Sequence, residues 1–209
     1  MAERGDGVPS RQTDHQVRNE DWDGRDLSGE THPRMAFIDV DLTETTGAGA
    51  AFTDCTFRNC RFNCSRHSDA AFTNCTFANC DLFDVRFTAA KFVGSSFTRC
   101  SFNQLTVVGG DWSFVGLAEA DLRRASFTGT RMREADLTGA RLQGACVRDV
   151  DLSGASLDAA DLSGCDLRGT DLSAVEPLRT NLTGAIIYLE QTLAIATALG
   201  LDVRSREPT

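Results

Sequence analysis

The residues whose numbers end in 2 or 7 constrain this chain more than any other feature. From Leu27 to Leu182 they are large and apolar at every position except His32, Gly47, His67 and Pro177, and the phase never slips. A period of five is neither the 3.6 of a helix nor the 2 of a strand, so a repeating backbone shape must set it. Two places before each large residue stands a mostly small one, such as Ala50, Cys55, Cys60, Ala135 or Ala140, and the other three places are polar or glycine. One large wedge and one small residue per unit therefore point inward, and three face water. Each unit is a short side plus a corner. A chain of such units must coil above itself for its backbone groups to pair, which makes it a solenoid. The wedges Phe52, Phe57, Phe62, Phe72, Phe77, Phe92, Phe97, Leu137 and Leu162 are the predicted core.

The same phase disposes of the cysteines. Six of the eight, Cys55, Cys60, Cys75, Cys80, Cys100 and Cys165, occupy the small inward place, where other units carry Ala, Ser, Val or Thr; Cys64 and Cys146 lie outside it. C-x4-C occurs twice, but the partners a zinc site needs are not in phase, so the expectation is packed, reduced thiols and no metal. No Ser/His/Asp or Cys/His arrangement and no phosphate-cradling glycine loop stands apart from the repeat, so neither an enzyme nor a cofactor is expected. His67 and His32 are read as hydrogen-bonded core histidines, His67 filling space beside Gly47. The segments 43–51 and 107–116 are the two places where a loop could leave the coil without breaking the phase.

The units Ala135-Asp136-Leu137-Thr138-Gly139 and Ala160-Asp161-Leu162-Ser163-Gly164 resemble the pentapeptide-repeat family. The resemblance implies an all-β solenoid, a right-handed quadrilateral β-helix with four units per coil. About eight coils follow, a rod near 40 Å long at about 4.8 Å per coil. Residues twenty apart would then stack, and thiols such as Cys55 and Cys75 would lie within disulfide range, although reduced. Residues 1–20 are predicted to be a disordered leader, 21–186 the β-helix, and 187–209 a capping and dimerisation helix with a tail. Pro177 marks the end of the last full coil. A helix is expected over residues 188–199, with Gly200 just past its end. It has two apolar stripes, Leu189/Leu193/Ala196 and Tyr188/Ile195/Leu199, one to cap the rod and one free for a partner.

An uninterrupted repeat ending in a short apolar helix is similar to the group that includes MfpA, Qnr and AlbG. That resemblance implies a tail-to-tail homodimer and a duplex-DNA mimic. Its partner would be DNA gyrase, a type II topoisomerase, engaged at the saddle where DNA lies and either inhibited or protected from quinolones and other poisons. Charge is the sequence's own hint in that direction. The chain carries a net −9, and Asp149, Asp151, Asp158, Asp161, Asp166, Asp171 and Glu176 stand against Arg168 alone, seven minus one giving −6 over residues 149–176. This band is the predicted gyrase-facing surface, and direct nucleic-acid binding is not expected. A structural or scaffold repeat protein with an unrelated partner is the alternative, because the repeat itself specifies only a fold. No run of eighteen apolar residues and no apolar leader is present, so the expectation is a cytoplasmic chain without a membrane segment.

Overall fold

In the computed structural model, which describes residues 13–204, the chain is a parallel β-solenoid. Its register is twenty residues throughout. Asp26, Thr46, Arg66, Arg86, Thr106, Ser126, Cys146, Asp166 and Ile186 pair in succession, nine levels separated by eight steps. Four wedges per coil make four sides, named here for their early wedges Trp22, Leu27, His32 and Phe37.

One unit shows why this sequence takes this shape. Asp136 N–H donates to Val115 O in the coil before, and Leu137 and Gly139 N–H donate to Ser156 O and Asp158 O in the coil after. Ala140 N–H turns back to Leu137 O, and the remaining donor, Thr138 N–H, reaches the Asp136 carboxylate at 3.0 Å. All five N–H groups are thereby satisfied, four by backbone and one by the aspartate. Gly139 sits at φ +65°, a left-handed corner that recurs at numbers ending in 4 or 9, where Asn, Asp and Gly predominate.

The aspartate also goes with one local form. Units with Asp before the wedge, at 21, 26, 41, 81, 111, 121, 136, 151, 161, 166 and 171, all take a turn, and none is a strand. Strands of three or four residues all have Ala, Thr, Ser, Arg, Cys or Gln at that place, although Arg61, Ser101, Arg131, Arg141 and Ser156 stand in turns as well. They make a five-stranded sheet on the Phe37 side, a six-stranded sheet on the Leu27 side and a three-stranded one on the His32 side. The Trp22 side, rich in such aspartates, is held by isolated bridges.

The core follows the phase. All nine predicted wedges are buried, and the phenylalanines stack ring on ring: Phe37 on Phe57 and Phe57 on Phe77 at 4.8 Å, and Phe52 on Phe72 at 4.9 Å. After Trp112, Leu, Met and Val take over apart from Phe127, which packs edge-on against Trp112 at 5.8 Å. His32 stacks on Phe52 at 4.9 Å, and its Nε2 lies 2.9 Å from Glu30 Oε2. His67 differs from expectation. Its ring stacks on Phe87 beside Gly47, but neither nitrogen has a hydrogen-bond partner, because the walls around it are aromatic and aliphatic. Burial pushes its imidazole down to about 4, so it is neutral.

The boundaries also shift. His15–Arg18 already pairs with Met35–Ile38, so the solenoid starts inside the segment assigned to the leader; residues 1–12 lie outside the described residues. Neither 43–51 nor 107–116 leaves the coil: Thr46–Ala48 and Thr106–Val108 are strands in register. Pro177 is not the end of pairing, which continues through Asp161 to Asn181 and Asp166 to Ile186. A turn at residues 176–179 moves the local bond to Ala159 N–H and Arg179 O, and Thr180 restores the phase by donating from its hydroxyl to Leu157 O. The coil does open at one edge. Asp81 pairs with Ser101 and Asp121 with Arg141, but no bridge joins Ser101 to Asp121, and no backbone bond links residues 100–104 to 118–124. Adjoining openings of about 640 Å³ each lie there.

Candidate interaction surfaces

The predicted acidic band does not form one surface. Asp161 lies on the Trp22 side, Asp149 and Asp166 on the Leu27 side, Asp151 and Asp171 on the His32 side, and Asp158 and Glu176 on the Phe37 side. Its sum also depends on where the window is cut. Arg148 and Arg179 stand just outside it, and Arg179 lies 2.5 Å from Asp158 while Arg148 lies 3.8 Å from Asp166. Over residues 148–179 the balance is seven acids against three arginines, or −4.

Reading every twentieth residue instead separates the sides. The Trp22 side carries Asp21, Asp23, Asp41, Glu44, Asp81, Asp84, Asp121 and Asp161 against Arg61, Arg123, Arg124 and Arg141, eight minus four giving −4. The Leu27 side balances four acids, Asp26, Asp69, Asp149 and Asp166, with Arg66, Arg86, Arg148 and Arg168. The acidic excess of the rod therefore gathers on one side, beside a neutral one, and within that side it sits in the coils from Asp21 to Asp84. Of the predicted band only Asp161 belongs to it. The missed residues were legible as the stack rising from Asp21 in steps of twenty.

These carboxylates are built in as well as exposed. Hydrogen bonds from the Ser163 side chain and backbone hold the Asp161 carboxyl below the usual carboxylate range. Arg123 hydrogen-bonds Asp121 and, with Arg141 beside it, holds that carboxyl at about 2. Arginines in the next coil reach others, as Arg61 does Asp41 at 2.5 Å. Such exposed pairs contribute little stability.

The terminal helix is shorter than expected. A 3-10 turn, Leu189–Gln191, leads into α1, Thr192–Ala198, and Gly200 at φ +78° ends it: Gly200 N–H bonds Thr197 O and Leu201 N–H bonds Ala196 O. Sequence reasoning missed Gln191, which ties helix to coil. Its Nε2 donates to Leu167 O and Thr170 O, and its Oε1 accepts from Tyr188 and Gly169 N–H. The predicted stripes are recombined. Ala194 and Ile195 pack on the rod end, whereas Tyr188 and Leu199, grouped with Ile195 from sequence, are exposed. Ala196 is half-buried. Leu189 and Leu193 are open to solvent, 81% and 55% exposed, beside Ile186, Leu201 and Val203. An apolar patch thus crowns the end of the rod.

Among the described residues no cluster of three His, Cys, Asp or Glu has the arrangement to hold a metal, and no helix is long and apolar enough to cross a membrane.

A four-sided β-solenoid with a buried aromatic column, capped by a short helix, defines the class of protein. Within that class the chain belongs to the pentapeptide-repeat family. The family model for the pentapeptide repeat region matches residues 50–127, and that for pentapeptide repeats in eight copies matches 117–154, 140–173 and 151–187. Among solved structures, a trypsin-treated form of QnrB1, a plasmid-mediated fluoroquinolone resistance protein, matches at 18% identity with TM-score 0.68, over 90% of this chain and 97% of that one. HetL, a pentapeptide repeat protein involved in heterocyst differentiation regulation in the cyanobacterium Nostoc, matches at 20% identity with TM-score 0.34, over 82% of each chain. No curated protein matches.

Proposed function

We propose that this protein is a duplex-DNA mimic that occupies the DNA-binding saddle of DNA gyrase, as a homodimer joined through the terminal helix, and so counters quinolones or other topoisomerase poisons. The Trp22 side carries the proposal: Asp21, Asp41, Asp81, Asp121 and Asp161 stand in one column along it, with Asp23, Glu44 and Asp84 beside them. A groove that binds duplex DNA is basic along its length, and a rigid acidic rod complements it. The exposed patch of Leu189, Leu193, Leu199 and Leu201 supports the dimer, since an apolar end on a two-fold axis is self-complementary. The fold shared with a fluoroquinolone resistance protein is compatible with this reading.

Magnitudes define how such a mimic acts. The seven coil steps from Asp21 to Asp161 span about 34 Å at about 4.8 Å each, and duplex DNA over that length carries about 20 charges. The Trp22 side offers a net −4. Binding therefore relies on shape together with charge, and an excess of DNA displaces the protein. Supercoiling of relaxed plasmid by gyrase, titrated with this protein, tests the proposal. Dose-dependent inhibition relieved by added DNA supports it, and full supercoiling at large molar excess refutes it.

A further inference from the structure

Three thiols stand in one column of the corner before the Trp22 side. Cys60, Cys80 and Cys100 occupy the same place in successive coils, and each Sγ–H points to the carbonyl of the wedge twenty-three residues back: Phe37, Phe57 and Phe77. In-register neighbours in adjacent coils lie about 4.8 Å apart, inside the Cα separation of disulfides. Cys60 and Cys80 are sealed, at 1% and 2% exposure. Cys100 is not. The coil above it is the one that parts from its neighbour, and Cys100 lines both openings there. The column is thus closed at its lower thiols and open to solvent at its top one.

We propose that Cys100 is a peroxide-reactive thiol and Cys80 its resolving partner, so that oxidation closes a disulfide between two adjacent coils. The chemistry balances with a hydroperoxide as oxidant. The Cys100 thiolate attacks one peroxide oxygen, the O–O bond breaks, hydroxide leaves and takes up a proton, and Cys100 becomes a sulfenic acid. Cys80 Sγ then attacks Cys100 Sγ; the S–S bond forms, the S–O bond breaks, and water leaves with the Cys80 proton. Two thiols and one hydrogen peroxide give one disulfide and two waters. The electrostatics run the same way. The Cys80 thiol, flanked by two others and buried, is pushed up, while the Cys100 thiol is drawn down by the neighbouring Cys80.

Cys64 and Cys146 are internal controls. Both are half-buried, and the residues stacked on them in their own columns are not thiols but Glu44 and Asp84, and Ser126 and Asp166.

The full chain treated with a small excess of hydrogen peroxide is expected to lose about two mass units, the two thiol hydrogens, and tandem mass spectrometry of its tryptic peptides to show a Cys80–Cys100 link. Cys100→Ser abolishes the link. Cys80→Ala, which installs the residue found at the equivalent Ala120, leaves a Cys100 sulfenic acid that dimedone traps. A Cys60–Cys80 link, oxidation confined to Cys64 and Cys146, or a two-unit loss that persists in Cys100→Ser overturns the proposal. The wild-type peptide map decides the question even if a variant does not fold.

Discussion

His67 and Gly47 form a matched pair across one coil step: a Cβ placed on Gly47 would lie 2.5 Å from His67 Nδ1. The pair explains the two weakest wedges of the amino-terminal half together. The imidazole leans into the space that a side chain at position 47 would need, so the glycine is set by its neighbour twenty residues on.

Gly47→Ala should therefore destabilise the protein by overpacking, by about 1–3 kcal/mol. Urea unfolding checks it. His67→Ala in the same chain should remove most of the added penalty, since the clash is with the ring. A Gly47→Ala protein as stable as wild type would mean that the ring moves aside freely.

His67 also predicts a pH dependence. Its imidazole titrates at about 4 in the fold against 6.5 in the unfolded chain, so between those values the unfolded state binds the extra proton. Stability contributed by the neutral ring is present in full above pH 6.5 and falls as pH drops toward 4, by about 3 kcal/mol in all. His67→Phe, the residue at most neighbouring wedges, should flatten that part of the stability profile. An unchanged slope between pH 6.5 and 4 in the variant would assign the acid sensitivity to other groups.

Charge on the Trp22 side should matter to gyrase where charge elsewhere does not. Asn in place of Asp21, Asp41, Asp81 and Asp161 removes four charges and, at 21, 41 and 161, keeps an oxygen for the N–H two residues on. Inhibition of supercoiling should weaken on the order of tenfold, about 1.4 kcal/mol. The charge-matched control Asp26→Asn, Asp69→Asn, Asp149→Asn and Asp166→Asn, on the Leu27 side, should inhibit like wild type. Equal weakening by both sets would mean that net charge acts, and not one side.

Leu193 faces solvent on the terminal helix and makes no part of the cap, which Ala194 and Ile195 supply. Leu193→Asp should give a monomer by light scattering with an unchanged circular dichroism spectrum. A persistent dimer would place the contact elsewhere.

Much of the fold was legible because the wedge phase is local: the shape of each unit turns Phe57 or Leu162 inward, and the coils above and below then bury it. The acidic surface was not legible from a linear window, because Asp161 has Asp121 and Arg141 below it in space while Asp158 and Asp166 are on other sides. The helix stripes failed in the same way. Ile195 and Leu199 share a helical face in sequence, but only Ile195 meets the rod, since Gln191 sets the angle at which the helix leaves the last coil.

By itself the sequence determined what faces inward, the solenoid architecture and the thiols' place within it, because a five-residue unit satisfies its own corner and turns its own wedge inward. Tertiary structure alone decided which charges form one side, which leucines stay exposed and where the coils part beside Cys100. Those properties belong to residues twenty or more apart, and only the closing of each coil on the next brings them into contact.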